Sequence, residues 1–245
     1  MHLLARILCA AMAISLLAVA PPASSSPSLA GGGGLDWYEG PGGQTTRAVL
    51  AIAGAELGGG STSLTLMRYE DDVSGDGVGF VGSVQAPLAT DRSLCGWASH
   101  FVGDGSLRAW RVKVGPLAEL PSGGTAGVFY THAEDNAGGR SDAGAAELSL
   151  PLVSRLTGRV AAAYGTAPGG MRSALGSMGL GWSPVHGLEL TGDVGVARNG
   201  ALTMSPASPQ GPLTRLLGFG GNGGGNAQEA RVDPVLQFGL RVLLP

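Results

Sequence analysis

The last fifteen residues constrain the fold most: R-V-D-P-V-L-Q-F-G-L-R-V-L-L-P, residues 231–245. After Pro234 they alternate. Leu236, Phe238, Leu240, Val242 and Leu244 share one parity, and Gln237, Gly239 and Arg241 share the other. Successive side chains of a strand point to opposite faces, so this stretch reads as a strand with one apolar and one mostly polar side. At about ten residues it is long enough to cross a bilayer as a tilted β-strand.

The same pattern recurs upstream as far as residue 45. Candidate strands fall at 46–56, 63–69, 77–86, 94–102, 107–115, 125–132, 143–153, 157–166, 173–183 and 188–197, before the final one. Their apolar residues alternate and do not recur at helical spacing, and turn residues interrupt them at short intervals. The connections form two alternating sets. Those at 57–62, 87–93, 116–124, 154–156 and 184–187 are compact. Those at 70–76, 103–106, 133–142, 167–172 and 198–230 are mostly longer and more acidic. Short turns at one end and long loops at the other are how outer-membrane barrels are built. The reading is therefore an all-β, up-and-down antiparallel transmembrane barrel of about 10–12 strands. Eleven strands can be read directly. A single-chain bacterial barrel with both ends on one side needs an even number, so either a further strand lies near 35–38 or within 211–218, or one of the hairpins is false.

The N-terminus supplies the export signal. A short basic start (M-H-L-L-A-R), an apolar run of about fourteen residues and a small-residue exit have the three parts of a secretory signal peptide. Residues 1–30 are assigned to it, with Ser28-Leu29-Ala30 as the cleavage motif, residues 31–44 to a glycine-rich N-terminal segment, and residues 45–245 to the barrel. Removing Cys9 with the signal leaves Cys95 alone, so no internal disulfide can form, and stability must come from a core or from closure of the sheet.

The final strand, V-L-Q-F-G-L-R-V-L-L, and the preceding S-P-V-H-G-L-E-L-T-G-D-V-G-V resemble the closing strands of bacterial outer-membrane β-barrel proteins. The resemblance implies location in the cell outer membrane of a Gram-negative-type envelope. It also implies outer-membrane lipid as surroundings and the barrel-assembly machinery as a partner reading the C-terminal strand. The chain departs from the pattern by ending on Pro245, where such barrels often end on an aromatic residue, and by an aromatic content of only 5%. Trp97, Trp110, Tyr130, Tyr164, Trp182 and Phe238 are the candidates for a sparse aromatic girdle.

Chemistry is thinly signalled. With 44 glycines, 13% charged residues and a net charge of −3, the chain has no basic nucleic-acid surface, while a mean hydropathy of +0.21 argues against disorder. It has no H-E-x-x-H, C-x-x-C, G-x-S-x-G or Walker sequence, and no catalytic, cofactor or metal residue is assigned. Residues 218–223 match G-x-G-x-x-G without the helix such a phosphate cradle requires. Residues 72–77, with Glu70 and Asp71, resemble half a calcium loop, but Ser83 stands where the bidentate glutamate belongs. His100, His132, Asp104, Glu134 and Asp135 fall toward the long-loop rim, where outer-membrane proteases of the omptin class keep their active site; these residues match that class in type only. The charges expected to face the lumen are Arg111, Lys113, Glu147, Arg159, Glu189, Asp193 and Arg241, with an Arg241–Glu189 ion pair across the last hairpin. Two roles follow: a structural barrel plugged by its own side chains, or a porin-like passage for small solutes. A soluble, secreted or periplasmic β-sandwich for binding or adhesion is the alternative, in which the apolar faces would meet each other.

Overall fold

A computed structural model describes residues 28–39, 45–57, 60–72, 75–103, 108–136, 139–166, 170, 172–198 and 232–244. Among them lie twelve strands: β1 (Ser28–Glu39), β2 (Thr45–Leu57), β3 (Gly60–Asp71), β4 (Gly75–Ala89), β5 (Arg92–Gly103), β6 (Arg108–Glu119), β7 (Thr125–Asp135), β8 (Arg140–Val153), β9 (Leu156–Thr166), β10 (Arg172–Val185), β11 (Leu188–Arg198) and β12 (Val232–Leu244). Each pairs antiparallel with its neighbours in sequence, and β1 pairs with β12 from Gly31↔Leu244 to Glu39↔Leu236. That last pairing closes the sheet, which excludes the open sandwich. Closure leaves no edge strand with unpaired backbone groups, the condition for crossing hydrocarbon with strands.

The twelfth strand is β1, and it contains Leu35–Tyr38. The other place considered, 211–218, lies outside the described residues, as do residues 1–27 of the expected signal peptide and the glycine-rich 218–223. Among the described residues the barrel wall therefore includes Ser28–Glu39, ahead of the boundary expected at residue 45. The glycine-rich run 31–34 belongs to the wall, and Ser28–Ala30, read as the end of the signal, pair with Glu56, Ala55 and Gly54. Glycine has low strand preference, which hid this strand from a propensity reading. In the barrel it is held on both edges, by β2 and β12.

With an even strand number, both ends of the barrel lie on the short-turn side, which is the periplasmic side of such barrels. One of these turns holds Arg155 at φ 75, and its guanidinium donates to the Pro184 carbonyl at 2.6 Å, tying the turn to β10.

The two faces of the wall differ sharply. Outward residues form an apolar belt that includes Leu35, Val49, Leu66, Val78, Val128, Val160, Met178, Leu180, Val194 and Phe238, all exposed. Inward residues bury into clusters. Leu50, Met67, Tyr69, Val81, Phe101 and Ala109 pack on the β2–β6 wall toward the long-loop end. Tyr38, Ala143, Leu175, Ala197 and Val235 do the same on β1 and β8–β12. Cys95, Trp97, Leu117 and Phe129 pack lower down, on β5–β7.

In two strands the bulkier apolar parity faces inward. On β2 it is Leu50 and Ile52, and the outward parity is Val49, Ala51 and Ala53. On β5, Cys95, Trp97 and Phe101 are buried, and Leu94 and Val102 look outward. Trp97 therefore leaves the girdle. Either parity of such a strand is apolar enough to meet lipid, so pattern could not choose between them.

Candidate functional site: a belt of charge in the lumen

The polar part of the inner wall is a row of charged side chains held by alternate strand positions. On β6, Lys113 points inward and its Nζ lies 2.6 Å from Glu147 Oε1 of β8, reaching past β7. The ammonium also sits 4.6 Å from the centre of the Trp97 ring and 4.1 Å from that of Phe129. Those rings meet edge to face at 5.3 Å. A buried cation so placed gains from the ring quadrupoles as well as from the carboxylate. Cys95 and Leu117 complete this packed block.

The next pair is Arg159 of β9 with Asp193 of β11, Nη2 to Oδ2 at 2.7 Å. Glycine makes it possible. Gly179 of β10 is the register partner of both residues, so the two side chains meet over a position that has none. A Cβ there would collide with the Asp193 carboxylate.

The third pair sits on the closing seam. Arg241 of β12 stands directly opposite Glu189 in register. Its guanidinium nevertheless turns the other way, to Asp36 of β1, with Nη1–Oδ1 and Nη2–Oδ2 both at 2.8 Å. Nη1 also approaches the carbonyls of Leu240 at 3.2 Å and Leu35 at 3.4 Å. The expected Arg241–Glu189 pair is thus replaced by Arg241–Asp36. Gly34 is the cause on the β1 side: it faces Arg241 in register, and a Cβ there would lie 3.0 Å from Arg241 Cδ. The vacancy admits the side chain, which then meets Asp36 through a charge-assisted hydrogen bond from Nη2 to Oδ2 and a close ion contact at Oδ1. Asp36 was missed because 35–38 was only one of the places offered for a hidden strand, and no inward parity was assigned to it. The alternation L-D-W-Y, with Leu35 and Trp37 flanking an acid, was its signal.

Going round the wall from β6 to β1, the paired charges alternate in sign: Lys113, Glu147, Arg159, Asp193, Arg241, Asp36. Arg111 and Glu189 also lie on the inward parity, so cations and carboxylates on this belt are equal in number.

The rim residues separate. His100 faces outward and stacks on Phe80, centroids 5.6 Å apart. His132 also lies on the outer wall, with Nδ1 2.7 Å from Asp142 Oδ1 and its ring 4.9 Å from Trp110. Asp142 further accepts from the Tyr130 hydroxyl and from Arg140 Nε at 3.2 Å. Asp135 is buried on the inner parity and accepts the Gly139 amide at 2.8 Å. Asp104 lies outside the described residues. Glu134 sits on the outer parity of β7. An acid–histidine pair does form, but on the outer wall, with Asp142 as its acid and beside aromatic residues suited to the membrane interface.

The acids of the calcium-like loop also diverge. Asp71 turns inward to the Thr46 hydroxyl, Asp72 accepts from the Thr45 amide at 2.8 Å, and Asp76 faces outward toward Arg68 at 3.9 Å. Among the described residues no group of three or more His, Cys, Asp or Glu could hold a metal ion.

A closed twelve-strand barrel, apolar outside and charged within, defines a transmembrane β-barrel of the outer-membrane type. The chain is similar in structure to the KdgM porin in complex with disordered oligogalacturonate, at 11% identity and a TM-score of 0.55, covering 87% of this chain and 98% of that one. It is similar also to the NanC porin, at 8% identity and a TM-score of 0.55, covering 88% and 99%. At these identities the likeness is one of fold. No family model and no curated protein matches the sequence.

Proposed function

We infer that the protein is a narrow outer-membrane passage for small solutes, and that its lumen suits neutral or zwitterionic polar molecules. The observation that supports this reading is the alternating belt: Lys113–Glu147, Arg159–Asp193 and Arg241–Asp36 each cancel locally. The other buried inward acids, Asp71 and Asp135, lie at the long-loop ends of β3 and β7. Within the belt the two signs are equal in number, so this stretch of the lumen creates little net field and concentrates neither ion strongly. It still offers donors and acceptors at every step. The KdgM porin is described with a galacturonate oligomer, which carries many negative charges. The belt here has no excess of cations for such a ligand. The block of Trp97, Phe129, Leu117 and Lys113 narrows the β5–β8 side, which leaves the small-residue wall of β9–β12 as the path. This reading assigns no reaction to the protein. Assembly would rest on the machinery that reads a C-terminal strand, here Val232–Leu244.

Planar-bilayer recording of the refolded chain tests the reading. Small discrete current steps, with a reversal potential near zero in a potassium chloride gradient, are expected. The second reading, a plugged structural barrel, is favoured by the buried Lys113–Glu147 block. A membrane that holds folded protein and shows no discrete steps would establish it in place of the passage.

A further inference from the structure

The outer wall carries a groove of about 660 Å³ that the passage does not use. Two adjacent rows of outward residues line it, and strand register traces both. One row runs Leu190, Leu240, Leu35, Val49, Arg68 across β11, β12, β1, β2 and β3. The other runs Phe238, Trp37, Arg47, Glu70 across β12, β1, β2 and β3. Strands of such a barrel are tilted, so the rows climb obliquely. They start near the short-turn end, since Leu190 is close to the start of β11. They finish near the long-loop end, since Arg47 is close to the start of β2 and Arg68 to the end of β3.

The outward side chains of the groove are apolar along its length and charged only at its upper end; Asp36 and Thr191 also line it, the Asp36 carboxylate being held by Arg241. Its floor is set by the Trp37–Phe238 ring pair, centroids 5.6 Å apart. Gly192, which pairs with Phe238 from β11, adds no side chain beside it. Leu35, Val49 and Phe238 are exposed, on a face that closure of the barrel turns toward lipid. At that depth the available occupant is a hydrocarbon chain, because water cannot fill an apolar groove inside a bilayer. The upper end decides the headgroup. Arg68 reaches its neighbour Asp76 only at 3.9 Å, with both side chains more than half exposed. Arg47 makes no ion pair among the described residues. Two guanidiniums on neighbouring strands, each free to turn, suit a phosphate. Glu70 beside them suits the hydroxyls of a sugar and not a second phosphate.

We propose that this groove seats one acyl chain of a phosphorylated glycolipid of the outer leaflet, of the lipid A type, with Arg47 and Arg68 holding its phosphate. The site is independent of whether the lumen conducts. It also fixes the closing seam from outside, since the chain would lie across β11, β12, β1 and β2.

Native mass spectrometry of the refolded full chain tests this, with lipid A, phosphatidylglycerol and phosphatidylethanolamine offered in equal amounts. Wild-type protein is expected to retain lipid A through gentle activation and to shed both phospholipids. Arg47→Gln with Arg68→Gln, which removes both guanidiniums from the phosphate, is expected to lower lipid A retention at least about tenfold, equivalent to roughly 1.4 kcal/mol. Leu35→Trp, which fills the groove without changing charge, should lower it as well. Heat-modifiable gel mobility reports that each variant is folded. Three results overturn the proposal: unchanged retention in both variants, phosphatidylglycerol held as firmly as lipid A, or no lipid held by the wild type.

Discussion

At Arg241 two carboxylates compete, Glu189 across one strand boundary and Asp36 across the other, and the guanidinium binds Asp36. Both partners of the bound pair are largely withdrawn from water, so removing either leaves a charge without compensation, at a cost of roughly 3–5 kcal/mol. A double-mutant cycle in lipid-vesicle unfolding separates the two acids. Asp36→Asn with Arg241→Gln should show a coupling of about 1–3 kcal/mol. Glu189→Gln with Arg241→Gln should be nearly additive; strong coupling there would return the pair to the last hairpin. The glycines give a second residue-level test. Gly179→Ala puts a methyl where the Asp193 carboxylate lies, whereas Gly181→Ala meets nothing nearer than Glu189 Oε1 at 3.4 Å. The first should destabilise by roughly 1–3 kcal/mol through overpacking and loss of the Arg159–Asp193 pair, and the second by under about 0.5 kcal/mol. Equal midpoints for the two variants would mean that the pair does not depend on the vacancy.

Within one element, the faces of β9 should respond unequally to substitution. Val160 is exposed on the outer parity near the middle of the strand, and Ala161 follows it on the inner parity. Val160→Arg should destabilise the barrel by roughly 2–4 kcal/mol if it lies at the bilayer midplane. Ala161→Ser should be nearly silent, because a hydroxyl is small and faces a polar lumen. Denaturant titration in vesicles reads both, and a mild Val160→Arg would place the lipid face wrongly. The aromatic residues sort by the same logic. Trp110, Tyr130 and Tyr164 lie toward the long-loop end on the outer parity, and Trp182 toward the short-turn end. Amphipathic rings at those heights match the two membrane interfaces. Trp97 shares their residue type but serves the packed block around Lys113.

For the molecule as a whole, closure is the step on which the rest depends. The β1–β12 seam brings residues 36 and 241 together, and a sheet left open there would expose two edges and lose the third ion pair of the belt. Cys95 offers a reporter, since its side chain is fully buried within the closed barrel. With Cys9→Ser leaving Cys95 as the one thiol, a maleimide probe should leave the folded protein unlabelled for hours and label it at once in denaturant. Rapid labelling in vesicles, with folded mobility intact on a gel, would show that the β5–β7 side of the lumen is open to solvent and much wider than described.

Strand alternation, turn spacing and the alternation of compact and long connections depend on nearest neighbours along the chain. For that reason the all-β class, a barrel of 10–12 staves and the polar parity of β6, β8, β9, β11 and β12 could be read from the residues alone. Three features depend on which strands lie side by side in space. The first strand is one, because a glycine-rich segment becomes a strand only when two partners bind its edges. The inward turn of Leu50, Trp97 and Phe101 is another, because both parities of β2 and β5 are apolar and only the set of facing side chains selects between them. The choice of Asp36 over Glu189 is the third. Periodicity assigns a residue to a face, but the vacancy at Gly34 and the closing of β1 on β12 place the carboxylate that Arg241 can reach.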